Sequence, residues 1–112
     1  SIDVYWEWSG GKRYVRAAVI ILDSDGKPVE DAMVYGRWSG KIAGNDAGKT
    51  DINGRWITTR QRARDSGTYT FTVDNVVLET YVLTVDNVTH LYLNGVIYDK
   101  GANVETSDSI TG

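Results

Sequence analysis

The spacing of the apolar residues limits how this chain of 112 residues can fold more than any other feature. These residues seldom recur at the three- and four-residue intervals of an amphipathic helix. Instead, Val, Ile, Thr, Tyr and Trp alternate with polar residues between turn-forming Gly, Asn and Asp. Because alternation is typical of half-buried strands, the pattern predicts an all-β chain. The predicted strands are Ile2–Trp8, Arg13–Leu22, Ala32–Trp38, Arg55–Thr59, Thr68–Val73, Val76–Val85, Val88–Leu93 and Val96–Tyr98.

Turn sequences separate these strands. Besides Gly10–Gly11, the predicted turns are "SDGKP" at Ser24–Pro28, "NDAG" at Asn45–Gly48, "DING" at Asp51–Gly54 and "NG" at Asn94–Gly95. About eight short strands at this spacing predict a sandwich of antiparallel sheets.

A short tandem repeat occupies the C-terminal third, with "YTFTVDNVVLET" at Tyr69–Thr80 followed by "YVLTVDNVTHLY" at Tyr81–Tyr92. It predicts a repeated hairpin corner with two-residue turns at Asp74–Asn75 and Asn94–Gly95. One face would then join Phe71, Val73, Val76 and Leu78, and another Leu91, Leu93, Val96 and Tyr98. On the opposite face Tyr92 has no obvious burial partner, which makes it a candidate ligand contact.

Composition excludes several classes of protein. With 41% apolar residues, residues 1–112 can form a single β-sandwich module without disulfides, and cysteine is absent. A net charge of −3 argues against a nucleic-acid partner. The sequence has no apolar run of the roughly 20 residues that a membrane span needs. No charged and apolar leader precedes Ser1, so we expect a mature module cut from a longer protein.

The segment "DSGTY" at Asp65–Tyr69 narrows the choice of fold. Its Asp-x-Gly-x-Tyr spacing precedes strand F in immunoglobulin-like domains, where the tyrosine closes a corner between strands. Trp38 ends a strand C candidate, and Phe71 occupies the place of a disulfide cysteine. These features predict an immunoglobulin-like antiparallel β-sandwich.

Three segments carry a family resemblance: "AAVIILDSDGKPVEDAMVYGRWSG" at Ala17–Gly40, "TDINGRW" at Thr50–Trp56 and "TFTVDNV" at Thr70–Val76. Together they resemble a bacterial immunoglobulin-like accessory module found beside secreted hydrolases and proteases, over most of Val15–Asn103. Members commonly carry a cysteine pair around the Thr-Asp-x-x-Gly turn, where this chain has Lys49 and Trp56. The chain is also similar to β-sandwich carbohydrate-binding modules of plant-biomass-degrading bacteria. This implies β-1,4-glucan ligands, a secreted location and attachment to a glycoside hydrolase.

The sequence offers little for catalysis. It contains one histidine, His90, and no cysteine, so we expect no enzyme activity and no cofactor. The acidic turn around Asp23 and Asp25 leaves two interpretations open, a structural calcium site or a β-turn capped by aspartate. The alternating Arg60, Arg62 and Arg64 predict either a charge-protected edge strand or a row of donors for sugar hydroxyls.

Aromatic residues are the most informative candidates, because Trp and Tyr rings cover the flat C–H faces of pyranose sugars. Alternation places Trp6 and Trp8 on one side of their strand and Tyr5 on the other, with Trp8 the more exposed. The immunoglobulin-like topology would gather Trp8, Tyr14 and Trp38 at one end, although Trp38 also fits a core position. Tyr35 and Arg37 face outward, and Trp56 fits either a filled gap or an exposed ring. The predicted carbohydrate-binding residues are Trp8, Tyr14, Tyr35, Arg37, Trp38, Trp56 and Tyr92.

Two functions compete on this evidence. The first is a non-catalytic module that binds plant cell-wall β-glucans, such as cellulose, xyloglucan or mixed-linkage glucan, by aromatic stacking. The second is a structural, adhesion or spacer domain of a secreted bacterial protein without a sugar ligand. Calcium-dependent adhesion is a third hypothesis. Four tryptophans in 112 residues exceed what one small core needs, which favours the first.

Overall fold

The computed structural model describes residues 1–23, 25–77, 92–93, 96–97 and 107–112. These residues contain no helix and form ten strands, which confirms the all-β prediction. The strands are β1 Ile2–Ser9, β2 Lys12–Ile20, β3 Met33–Gly40, β4 Gly44–Lys49, β5 Arg55–Ile57, β6 Gln61–Arg62, β7 Thr68–Val77, β8 Tyr92–Leu93, β9 Val96–Ile97 and β10 Ser107–Thr111.

The strands build two antiparallel sheets, an arrangement consistent with a β-sandwich. The first sheet has the order β1-β2-β5, with β6 also paired to β2. The second has the order β4-β3-β7-β9-β8, with β10 also paired to β7. One contiguous core combines buried side chains of both sheets with residues of the connecting segments: Ile2, Val4, Val15, Ala17, Val19, Val29, Ala32, Val34, Trp38, Ala63, Tyr69, Phe71 and Val76.

The β1–β2 hairpin follows directly from its sequence. Gly10 and Gly11 have φ of 60° and 76°, and two left-handed residues form the tight turn whose twist suits a two-residue hairpin. The turn sets a register in which Val4 lies opposite Ala17 and Trp6 opposite Val15. Trp6 packs against the core, as the alternation predicts.

Tyr69 forms the predicted corner. Its side chain is fully buried, and its hydroxyl donates a 2.6 Å hydrogen bond to the carbonyl of Asp65, four residues earlier. The indole of Trp6 meets the Tyr69 ring edge to face, with 5.4 Å between the ring centroids. The corner therefore ties the start of β7 both to its preceding loop and to β1.

An aromatic cluster surrounds Phe71, the residue at which the immunoglobulin-like prediction would place a disulfide cysteine. Phe71 is fully buried between Trp38, at 4.9 Å between ring centroids, and Trp56, at 6.1 Å. Trp56 belongs to β5 in the first sheet, yet its indole lies against Gly48 of β4 in the second. A methyl group at Gly48 would overlap that indole, so the absent side chain allows the ring to bridge the sheets.

Two predicted turns are wrong. The "NDAG" segment forms β4, paired with β3 from Trp38–Gly44 to Met33–Lys49, because the edge of β3 supplies a ladder that local turn preference cannot outweigh. Asp74–Asn75 lies inside β7 as a bulge, since Tyr35 pairs with Asn75 and Gly36 with Val73. The extra residue returns Val76 to the core face. The sequence also predicts Val76 on a core face, but through a two-residue turn at Asp74–Asn75 and not through a bulge.

Strands β4, β6 and β10 were absent from the predicted set. In β10 the carboxylate of Asp108 accepts a 2.8 Å hydrogen bond from the backbone N–H of Val4, linking the second sheet to the first. The β8–β9 pairing, Leu93 opposite Val96, agrees with the predicted hairpin. His90, Leu78, Leu91 and the turn at Asn94–Gly95 lie outside the described residues.

Candidate functional site

Two aromatic side chains stand exposed in the described part of the chain. Trp8 exposes 67% of its surface and Tyr35 exposes 42%. They occupy different sheets, since Trp8 ends β1 and Tyr35 lies within β3. Both exposures agree with the sequence analysis.

Trp8, Tyr14 and Trp38, which the sequence predicts at one end of the sandwich, do not form a common exposed platform. Trp8 pairs with Arg13 and Tyr14 with Glu7, so adjacent positions in the hairpin project Trp8 and Tyr14 from opposite faces of the first sheet. Trp38 is only 3% exposed, and its Nε1 is buried without an acceptor in the described part. Its ring has no free face for a ligand, so the core interpretation of Trp38 is the one that its burial supports.

Two further predicted contacts, Trp56 and Tyr92, are not observed as exposed rings in the described part of the chain. Trp56 is half-buried and packs on Phe71 and Gly48, which fits the gap-filling interpretation. For Tyr92 the structure describes the backbone in β8, and the prediction for its side chain lies outside the described part.

Tyr35 belongs to a continuous polar surface on the outer side of the second sheet. Alternation in β3 buries Val34 and Trp38 and leaves Tyr35 and Arg37 exposed, as predicted. We define the Tyr35 face by its side chains from β3, β4 and β7, which are Tyr35, Arg37, Ser39, Asn45, Thr70, Thr72 and Asp74.

The register aligns this face into rows that cross the strands. One row runs from Asn45 through Arg37 to Thr72, and continues to Ser107 of β10. The next row joins Ser39 to Thr70 and continues to Ser109 of β10. Strands spaced about 4.8 Å apart and rows about 6.6 Å apart give a regular array of donors and acceptors.

A depression of about 460 Å³ lies at the Tyr35 end of this face. It is lined by Tyr35, Gly36, Asn45, Asp46, Ala47 and Asp74. Asp74 also forms an ion pair with Arg37, in which both side chains are about half exposed. The carboxylate of Asp46 is held by the backbone N–H groups of Ala47 at 2.8 Å and Thr59 at 2.7 Å. The depression thus combines the Tyr35 phenol ring with the amide of Asn45 and the carboxylate of Asp74, whose ion-pair partner Arg37 lies beside it.

Such a surface suits a ligand that is flat, uncharged and rich in hydroxyl groups. The Tyr35 ring offers an apolar plane, the Arg37 guanidinium donates, the Asp74 carboxylate accepts, and Asn45 and the hydroxyls do both. Asn45 and Asp74 were missed as site residues because their sequences read as turns. Only pairing between β3, β4 and β7 brings them beside Tyr35.

The acidic turn follows the capping interpretation. Asp23 Oδ1 accepts hydrogen bonds from the backbone N–H groups of Asp25 at 2.8 Å and Lys27 at 2.9 Å. Within the described ranges, no three His, Cys, Asp or Glu side chains are grouped so that they could hold a metal ion.

The chain matches no known family model, no curated protein and no solved structure. The part of the chain that the structure describes includes no apolar helix of membrane-spanning length.

Proposed function

We propose that this chain is a single, non-catalytic carbohydrate-binding module that recognises plant cell-wall β-glucans on the Tyr35 face. The observation that carries the proposal is the exposed ring of Tyr35 at the end of an aligned polar surface. A glucan unit would cover the ring, while its hydroxyl groups meet Asn45, Asp74 and Arg37.

An immunoglobulin-like topology is the finer fold that we propose for this module. Strands β1, β2 and β5 correspond in order to A, B and E, whereas β4, β3, β7 and β10 correspond to C′, C, F and G. The hydroxyl of Tyr69 on the Asp65 carbonyl supports this assignment, because it has the geometry of the tyrosine corner. From the sequence resemblance we further propose a secreted bacterial protein in which the module is attached to a glycoside hydrolase.

Trp8 is the second proposed contact. Its ring is the most exposed tryptophan in the described part, at the end of β1 where the strand runs beyond the core. Its indole offers the flat apolar surface on which the C–H face of a pyranose ring can lie. Because Trp8 and Tyr35 lie in different sheets, we treat them as separate contacts whose contributions are measured independently.

One observation favours the competing function of a spacer or adhesion domain. Trp6, Trp38 and Trp56 all belong to the core or pack against it, which leaves Trp8 as the exposed member of the four tryptophans. The number of tryptophans therefore argues less for a sugar platform than the sequence suggests. The Tyr35 face now carries the carbohydrate proposal.

Affinity electrophoresis in gels that contain xyloglucan or mixed-linkage β-glucan, together with a cellulose pull-down, tests the two functions. We expect retardation of the native chain and loss of it in Tyr35→Ala. Tyr5→Ala is the matched control, because this substitution removes the same type of side chain from the other sheet. Trp8→Ala reports whether the second contact takes part. The carbohydrate proposal is rejected if no glucan retards the native chain. The Tyr35 face is rejected as its site if Tyr5→Ala and Tyr35→Ala behave alike while both remain folded.

A further inference from the structure

A second organised surface lies on the outer side of the first sheet. We define the arginine face by its five side chains, Glu7, Tyr14, Arg16, Arg60 and Arg62. Glu7 lies opposite Tyr14 in the β1–β2 hairpin, and Tyr14 lies opposite Arg62 in the pairing of β2 with β6. Arg60 immediately precedes β6. Three strands therefore bring together groups that are far apart along the chain.

The three guanidinium groups are held in place by the protein. Arg16 donates to Glu7 at 2.9 Å and to the carbonyl of Thr58 at 3.0 Å. Arg60 donates to the other oxygen of Glu7 at 3.3 Å, and its guanidinium carbon lies 4.3 Å from the centroid of the Tyr14 ring. Arg62 donates to the backbone carbonyl of residue 13 at 3.2 Å and lies 5.8 Å from the same ring. These contacts restrict the side chains before any ligand arrives.

Positive charge exceeds negative charge on this face. The cluster contains three arginines and one carboxylate, a local excess of two positive charges in a chain whose formal net charge is −3. The hydrogen bond from Arg16, followed by the smaller contribution of Arg60, holds the pKa of Glu7 below its ordinary value, so this carboxylate remains charged. Arg62 has no carboxylate partner in the described part of the chain.

We propose that the arginine face binds the carboxylate groups of an acidic polysaccharide, in which uronate residues bear the negative charge. A guanidinium fork matches a planar carboxylate in a two-point contact. Arg60 and Arg62 both lie close to the Tyr14 ring, so a uronate bound beside that ring could reach either guanidinium group. Carboxylate recognition follows from the arginine geometry alone. The choice of a sugar rather than a peptide rests on the proposed function.

A charge-protected edge strand is the competing explanation, since β6 lies at the edge of its sheet. Protection against edge pairing requires only solvated charge. Here Arg16 and Arg60 converge on one carboxylate, while Arg60 and Arg62 converge on one ring. That convergence is the reason for preferring a binding site.

Isothermal titration with oligogalacturonate, and with a neutral galactan oligomer of equal length, tests the inference. We expect binding of the uronate oligomer alone, weakening as salt rises from about 50 to about 500 mM because the ion pairs are partly exposed. Arg62→Gln and Arg60→Gln should each weaken it about tenfold or more, since each removes a charged hydrogen bond. Arg62→Lys keeps the charge but removes the fork, and should still lose affinity.

Arg64→Gln is the matched control. It removes the same charge from an exposed residue two positions beyond Arg62, and should change affinity by less than about twofold if geometry rather than net charge matters. The inference is overturned if oligogalacturonate does not bind at low salt, or if Arg64→Gln weakens binding as much as Arg62→Gln. Equal binding of poly-glutamate would identify the ligand as an acidic peptide and overturn the sugar assignment.

The same variants separate this inference from the proposed function. Arg62→Gln should leave glucan retardation intact, and Tyr35→Ala should leave uronate binding intact. Uronate binding that survives without any glucan binding rejects the Tyr35 face and keeps the arginine face. Loss of uronate binding in a folded Tyr35→Ala, together with normal binding in Arg62→Gln, rejects the arginine face. Thermal melting of every variant establishes that it is folded.

Discussion

Tyr69→Phe removes one atom from the best-defined corner of this protein. The lost hydroxyl belongs to a fully buried side chain and donates at 2.6 Å to the carbonyl of Asp65. A typical hydrogen bond contributes about 1 kcal/mol to stability. The Asp65 carbonyl retains a 3.1 Å hydrogen bond from Arg13, so it is not left without a donor. We therefore expect Tyr69→Phe to lower the free energy of unfolding by about 1 kcal/mol.

The ring itself should matter far more than its hydroxyl. Tyr69→Ala removes a buried aromatic ring and its edge-to-face contact with Trp6 at 5.4 Å. Loss of a buried aromatic side chain costs about 3 to 5 kcal/mol, a large part of the stability of a small domain. Tyr69→Ala should therefore be several times more destabilising than Tyr69→Phe.

Urea unfolding followed by tryptophan fluorescence measures both changes. We expect Tyr69→Phe to shift the midpoint by about 0.5 M with an unchanged dependence on urea, and the melting temperature by about 4 °C. Tyr35→Phe is the control, since its exposed hydroxyl has no hydrogen bond in the described part and should contribute almost nothing. A Tyr69→Phe variant as stable as the native chain, or as unstable as Tyr69→Ala, would refute the argument from the corner.

Three further predictions concern other parts of the structure. Gly48→Ala should lower the free energy of unfolding by about 1 to 3 kcal/mol in urea, because the new methyl group displaces the Trp56 indole; a neutral result would contradict that packing. Thr58→Val should lower the free energy of unfolding by about 1 to 3 kcal/mol in urea, because the hydroxyl oxygen accepts a hydrogen bond from the buried N–H of Ala17 at 3.0 Å. A variant as stable as the native chain would show that this hydrogen bond does not contribute to stability. Glu7→Gln should destabilise near neutral pH, and the difference should disappear as pH falls through the lowered pKa of Glu7, below its ordinary 4.5, where protonation removes the ion pairs in the native chain; a pH-independent difference between melting temperatures would contradict this.

The functional tests depend on which aromatic rings are available to a ligand. The exposure of Trp8 and Tyr35 was predictable, because side-chain direction within a strand is a local property with a period of two. The burial of Trp38 was one of two open alternatives, since a residue on the inner face becomes inaccessible only when the rest of the fold covers it. Here the cross-strand neighbour Phe71 of β7 packs against the Trp38 ring. The position of Trp56 could not be predicted from local sequence either, because its indole occupies space that is free only since Gly48 of another strand has no side chain.

Local sequence is sufficient to predict the all-β class, the Gly10–Gly11 hairpin and the corner at Tyr69. Each of these depends on residues within a few positions of one another, so local backbone preference and alternation are sufficient to predict them.

Which polar residues meet on a surface depends instead on the pairing of strands that are distant in the sequence. Asn45 and Asp74 read locally as turn residues, yet pairing with β3 extends both segments into strands beside Tyr35. The arginine face likewise joins Glu7 to Arg62 across two strand pairings. Backbone ladders between distant segments outweigh local turn preference, and their register, which no short stretch of sequence specifies, sets which side chains become neighbours.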